Sequence, residues 1–289
     1  MLNRRDFLAT GSAGALAAMH ATGTTSAQTS APPAAVPSTG RLRQSVSRWC
    51  FGGMTLDQLC ELSSGLGLKG IDLLSESEWS VPPKYGMTCA VANGPSTIPD
   101  GFNRVENHDR LEAELARMLP VAKGLGIPNM VVFSGNRRGM SDSEGLANCA
   151  KGLKRVAPLA ERHGVTLVME LLNSKVDHGD YMCDRTPWGA ELVQKVGSDR
   201  FRLLYDIYHM QIMEGDVIRT IRTHQDAIAH YHTAGTPGRN EIDATQELNY
   251  RAICEAIVDL GFTGFLAHEF MPRRDPATSL AEAVAICTV

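Results

Sequence analysis

Four residues set far apart in the chain share a chemical character and a local context. Glu170 closes the run "LVMELLN", Asp206 closes "LLYDIYH", His232 sits in "AHYHTAG" and Glu269 in "LAHEF". Each follows a stretch of β-branched and apolar residues, the composition of a buried strand. An unpaired carboxylate carried to the edge of a hydrophobic interior is expensive to desolvate. Three acids and an imidazole brought together around a divalent cation neutralise one another's cost. Oxygen-rich donors with one nitrogen favour Mn²⁺, Mg²⁺ or Co²⁺ over the sulfur and nitrogen surroundings of structural zinc. The expected chemistry is therefore that of one divalent metal ion held by Glu170, Asp206, His232 and Glu269.

The spacing says what must position them. The four are separated by 36, 26 and 37 residues, each about the length of one strand plus one helix. Strand-like runs are read at Leu42–Trp49, Gly70–Leu74, Met87–Ala92, Asn129–Ser134, Thr166–Leu171, Phe201–Asp206, Ile228–Thr233 and Phe265–Phe270. Helical periodicity is read at Leu56–Leu66, Arg110–Gly124, Ser143–His163, Pro187–Val196, Val217–Thr223, Tyr250–Leu260 and Ala277–Ile286. Several junctions repeat a helix, a glycine and then a strand: "LGLKGIDLL", "LGIPNMVVF", "HGVTLVMEL" and "LGFTGFLAHEF". Glycine ends helices because it tolerates positive φ. Strict alternation of eight strands with helical segments predicts an α/β fold, a (β/α)8 TIM barrel, whose functional groups project from the C-terminal ends of the strands. No Gly-x-Gly-x-x-Gly follows the first strand, which argues against a doubly wound nucleotide-binding sheet.

With these residues in place, the chain resembles the xylose-isomerase-like superfamily of sugar isomerases and epimerases. "MELLNSKVD", "LLYDIYHMQIMEGD", "PGRNEID" and "HEFMPRRDP" resemble the hydroxypyruvate isomerases within it. The similarity runs from Arg41 to Val289. It implies an aldose–ketose isomerase that passes through an enediolate on a small hydroxy-oxo acid, with hydroxypyruvate becoming tartronate semialdehyde. Glu170 and Glu269 are the implied acid–base pair, and His209 would hydrogen-bond a substrate oxygen. A substrate carboxylate calls for a cation, and Arg137 and Arg138 in "FSGNRRGM", Lys175 and Arg239 all lie in loops at the expected catalytic face. Glu241 would orient Arg239 or His209, while Trp49, Phe51 and Trp79 are candidate pocket walls. One departure leans toward ketose 3-epimerases or related sugar and polyol dehydratases: the third ligand is His232, where hydroxypyruvate isomerases often carry Gln. Another leans away from them, because the epimerases tend to place a substrate arginine six residues after this His, where this chain has Gly238, with Arg239 one further on. An exported binding protein that keeps the metal without turnover is the remaining alternative, disfavoured by the intact pair Glu170 and Glu269.

The bulk composition narrows the rest. "NRRDFLATGSAGALAAMHATGTTSA" joins paired arginines, Arg4 and Arg5, to a short small-residue apolar stretch. This is the pattern of a twin-arginine-type export signal, residues 1–27, which implies contact with export machinery and a periplasmic location. Residues 28–40, rich in Pro, Ser and Ala, read as a linker, leaving 41–289 as one catalytic domain. Removing the signal takes two arginines and one aspartate and moves the net charge from −4 to −5. An acidic balance with nine histidines excludes a nucleic-acid partner, which needs a basic stripe. The partner is a small molecule. No later apolar run is long enough to span a membrane, and a homo-oligomer is compatible with the barrel. The seven cysteines show no Cys-x-x-Cys spacing and read as small buried apolar residues.

Overall fold

The computed structural model describes residues 40–289, so the expected export signal and all but the last residue of the linker lie outside the described residues. Eight strands pair in sequence order, each parallel to the next, and the eighth closes onto the first. They are β1 (Arg43–Ser47), β2 (Gly70–Leu74), β3 (Thr88–Asn93), β4 (Asn129–Val132), β5 (Thr166–Glu170), β6 (Phe201–Asp206), β7 (Ile228–Thr233) and β8 (Phe265–His268). Around them run α1 (Leu56–Gly65), α2 (His108–Gly124), α3 (Asp142–His163), α4 (Thr186–Val196), α5 (Ile207–Met213), α6 (Val217–His224), α7 (Tyr250–Asp259) and α8 (Pro276–Cys287). This is the expected barrel.

Strict alternation fails at two connections. Between β2 and β3 the chain makes only two 3-10 turns, Glu76–Glu78 and Pro82–Tyr85. Two adjacent prolines and Gly86, at φ 68°, leave no room there for a regular helix. Between β6 and β7 there are two helices, because Asp206 caps the first of them immediately after its strand. The four glycines read as helix punctuation, Gly67, Gly126, Gly164 and Gly261, all have positive φ. All seven cysteines are buried and free.

The main core lies between the sheet and the helices. A separate small cluster, Val91, Val131, Val168 and Leu204, plugs one side of the barrel interior. The other side is polar. Ser45 and Ser47 of β1, Asp72 of β2, and His230 and His232 of β7 are fully buried, and Ser47 pairs in register with Asp72. Among the described residues no helix is long and apolar enough to cross a membrane.

Candidate metal and substrate site

Glu170 and Asp206 are the last residues of β5 and β6, His232 is the penultimate residue of β7, and Glu269 follows β8 directly. Asp206 and His232 are register partners, and the amide of Glu269 donates to the carbonyl of Thr233 across the next strand pair (2.9 Å). One ligand atom from each of Glu170, Asp206, His232 and Glu269 lies within 4.8 Å of the others. All four side chains are buried. Sequence spacing and barrel closure thus converge on one cluster able to hold a metal ion.

The electrostatics fit such an ion. Three carboxylates share the cluster with only two basic side chains, His232 and Arg239. Glu269 Oε2 lies 2.9 Å from His232 Nδ1 and 2.6 Å from Arg239 Nη2, and Glu269 Oε1 accepts from the Trp49 indole N–H at 2.7 Å. Burial opposes ionisation of Glu269, yet His232 and Arg239 hold its carboxyl well below the usual range. Burial raises Glu170, and neighbouring Glu269 adds to the rise. Asp206 is pushed up to about 8, chiefly by burial, with Glu269 and Glu170 adding to it against the pull of Arg239. Burial disfavours charge on His232, but Glu269 and the other acids around it raise its pKa well above the ordinary value. Two groups thus resist losing protons because the local positive charge is insufficient, a deficit that a divalent cation would supply.

Arg239 reaches the cluster through an unusual loop. Gly235 and Asn240 pair across a tight turn, and a Cβ at Gly235 would sit 2.2 Å from the carbonyl of Glu241. Arg239 itself has φ 57°. Its guanidinium lies over the rings of Trp49 (5.1 Å) and Tyr208 (5.4 Å), so it is stacked as well as ion-paired.

His209 is fully buried, and its tautomer is set by its neighbours. Asn173 Oδ1 accepts from the amides of Val176 and Asp177 (3.0 and 2.9 Å), which turns the Asn173 NH₂ toward Asp177 Oδ2 and His209 Nδ1 (2.7 and 2.6 Å). His209 Nδ1 is therefore an acceptor, and the proton sits on Nε2. That N–H has no hydrogen-bond partner and lies 3.7 Å from Asp206 Oδ2. Burial, with Arg239 nearby, lowers the His209 pKa well below its ordinary value, so the ring is a neutral donor aimed at the cluster.

Other expected site residues are engaged elsewhere. Arg137 binds Asp142, Asp184 and the carbonyl oxygens of Tyr181 and Met182. Arg138 pairs with Asp100, and Lys175 donates to the carbonyls of Ile212 and Met213 at the end of α5. These three act as loop braces. Glu241 does not orient Arg239 or His209; its Oε1 accepts from the amides of Arg273 and Arg274 and from Ser279, which shapes the β8–α8 loop. Trp79 is buried and bonded to the carbonyl of Leu74, and Phe51 packs edge-on against Phe270. Trp49 alone of the three aromatics touches the cluster. Sequence reading missed Asn173 and Asp72, although Asp72 in "GIDLL" carries the same signal as Asp206, an acid inside an apolar strand.

The model of a family described as xylose isomerase-like TIM barrel matches residues 83–287. Among curated proteins the chain is similar to a putative hydroxypyruvate isomerase of Homo sapiens, 28% identical over 172 residues (58% of this chain, 62% of that protein). The hydroxypyruvate isomerase of Escherichia coli is 28% identical over 160 residues (55% and 61%). A 2-oxo-tetronate isomerase of Cupriavidus necator is 33% identical over 134 residues (46% and 51%). The matched stretch spans less than two thirds of each relative's length. Two solved structures share the fold. One is an AP endonuclease, family 2, from Brucella melitensis, with TM-score 0.76 and 22% identity over 83% of this chain and 98% of that one. The other is the D-psicose 3-epimerase of Clostridium cellulolyticum, with TM-score 0.69 and 16% identity over 84% and 90%.

Proposed function

The chain belongs to the xylose isomerase-like TIM barrel family, and from that premise we propose that it is a metal-dependent isomerase of a small hydroxy-oxo acid, converting hydroxypyruvate to tartronate semialdehyde. The observation that carries this reading is the convergence of Glu170, Asp206, His232 and Glu269 at the C-terminal mouth of the barrel. The names of the relatives support the reaction class. Those four residues would hold Mn²⁺, Mg²⁺ or Co²⁺. The ion, when bound, supplies polarisation of the substrate carbonyl and compensation for the negative charge that builds as a carbon-bound proton leaves.

The protein's own groups divide the remaining work. Glu269, held ionised among His232, Arg239 and Trp49, takes the proton from C3 of hydroxypyruvate and returns it to C2. Glu170 exchanges a proton with the substrate oxygens, so hydroxyl and carbonyl trade places with no net proton change. His209 Nε2–H donates to a substrate oxygen beside Asp206. Arg239 is the cation that contacts the cluster, and it takes the substrate carboxylate. Its stacking on Trp49 and Tyr208 keeps the planar fork oriented.

His232 and the epimerase fold neighbours give the competing reading, a ketose 3-epimerase. Incubation of the Mn²⁺-loaded protein in D₂O with hydroxypyruvate, D-fructose or D-tagatose separates the two. The isomerase reading expects deuterium at C2 of tartronate semialdehyde, lost after chelation and recovered with Mn²⁺. Arg239→Gln should raise KM for hydroxypyruvate about 10- to 100-fold, the value of a hydrogen bond between charged groups. Deuterium at C3 of a ketose, with none in any three-carbon acid, would assign the epimerase instead.

A further inference from the structure

The barrel's most irregular strand is β2, which supplies none of the cluster Glu170, Asp206, His232 and Glu269. Leu73, in its middle, has φ 59°, a left-handed conformation that a leucine adopts only where its surroundings impose it. The pairing of β2 with β3 slips on both sides of Asp72. Irregularities of this kind re-aim a side chain. Here the side chain is Asp72, a carboxylate fully buried in the polar half of the barrel interior.

Asp72 Oδ2 lies 2.6 Å from His230 Nε2 and accepts from His232 Nε2 at 3.3 Å, while Oδ1 has no partner. The two imidazoles stand edge-on, ring centres 5.2 Å apart, because residues two apart on β7 both face inward. On its far side the His232 ring presents Nδ1 to Glu269 and Glu170, at 2.9 and 3.5 Å. The ring therefore bridges two acidic groups, one made of ligand-type residues and one consisting of Asp72 alone.

We propose that Asp72 is a positioning residue for the metal site: it accepts the Nε2–H of His232 and so turns the Nδ1 lone pair toward Glu170 and Glu269, where a cation is bound. An imidazole that keeps its proton on Nε2 can coordinate only through Nδ1, and a carboxylate behind it fixes both tautomer and ring plane. His230 Nε2, 2.6 Å from the same oxygen, is the second neighbour of the carboxylate. The strained backbone at Leu73 is accounted for as the means of delivering Asp72 to this spot. The proposal rests on the reading that Glu170, Asp206, His232 and Glu269 hold a divalent ion, and its test separates the two.

The full chain and Asp72→Asn are titrated with Mn²⁺, following the free ion by electron paramagnetic resonance. The expected result is one ion per chain in both, bound about 10- to 100-fold more weakly by the variant, with little change in the melting temperature of the chelated proteins. Equal affinity would overturn the proposal while leaving the metal reading intact. Two ions in wild type, the second lost in Asp72→Asn, would also overturn it, since Asp72 would then be a ligand itself. No binding by wild type would remove both claims together. A measurement on wild type alone covers a variant that fails to fold. In the Mg²⁺-loaded protein the ¹⁵N spectrum should show His232 protonated at Nε2 and bare at Nδ1, and the reverse tautomer would overturn the proposal.

Discussion

His209 illustrates how a neutral imidazole is committed to a single role. Its Nδ1 is occupied by the Asn173 amide, and that amide is fixed in turn by two backbone N–H groups of the loop after β5. Only Nε2–H is left to face the cluster. Because burial holds the His209 pKa well below 6.5, the ring stays uncharged throughout the neutral range and serves as a donor without titrating. His209→Ala should lower kcat/KM about 10- to 100-fold, and His209→Gln, which keeps an N–H donor, should recover part of the loss. The pH–rate profile between pH 6 and 9 should have the same shape in wild type and both variants; a limb near pH 6.5 that disappears with the imidazole would refute the neutral-donor role. The place of His209 beside Asp206 was legible in the sequence because "YDIYHMQ" sets an imidazole three residues after the acid. The fates of Arg137, Arg138 and Lys175 were not, since a basic residue in a loop looks the same whether it awaits a substrate or braces a neighbour. Asp184 and Asp100, which decide the matter for the two arginines, are distant in sequence from them.

At the scale of elements, the junction between β6 and α5 serves two ends. Asp206 finishes the strand, and its Oδ1 caps the helix by accepting from the amide of His209 at 3.0 Å, leaving Oδ2 to the cluster. The residue therefore fixes the helix start and with it the place of His209. The two duties can be separated by substitution. Asn caps as well as Asp but carries no charge, whereas Ala does neither. Both Asp206→Asn and Asp206→Ala should lose most Mn²⁺ affinity, while the chelated Asn variant should be about 1 kcal/mol more stable than the Ala variant. That difference corresponds to roughly 2–4 °C in melting temperature for a domain of this size, and equal melting temperatures would mean that the cap contributes nothing. The strands themselves were legible from their apolar runs, and β2, β6 and β7 begin and end where expected. The connections were less so. A barrel unit without a regular helix after β2 still satisfies the sheet, because the two 3-10 turns and the buried Trp79 cover the same surface. The bulge at Asp72 escaped notice because it is a property of strand pairing, which one strand's sequence does not display.

For the whole molecule, the cluster couples protonation to metal uptake and to stability. Among the protein's own groups, Asp206 has its pKa raised to about 8 from 3.8. Its contribution to stability is therefore complete below about pH 3.8 and is lost as pH rises through 8. His232, also raised, loses its contribution as pH climbs through its elevated value. Glu269, lowered by His232 and Arg239, behaves oppositely and loses its contribution as pH falls. A cation needs the Glu170 and Asp206 protons and the His232 Nδ1 proton gone, so affinity should rise by up to about 10-fold per pH unit for each proton released below pH 8. Saturation at 100 times Kd adds about 2.7 kcal/mol. The gap in melting temperature between Mn²⁺-loaded and chelated protein, at one fixed ion concentration, should accordingly widen from pH 6.5 to pH 8, and a constant gap would contradict the linkage.

The same cluster bears on export. The four ligand-type residues come from successive strands, β5 to β8, and are brought into one cluster by the pairing of those strands. A chain threaded unfolded through a membrane would have to find its ion on the far side, whereas a route that carries folded proteins lets loading precede transit. The proposed twin-arginine-type signal, with Arg4 and Arg5 at its head, fits the second route. Arg4→Lys/Arg5→Lys in the full chain keeps the positive charge and removes only the guanidinium pair. Cell fractionation should find the double variant retained in the cytoplasm, folded and carrying its metal, while wild type reaches the periplasm. Periplasmic levels equal to wild type would show that the arginine pair does not direct this protein, and with that result the case for loading before export would lose its footing.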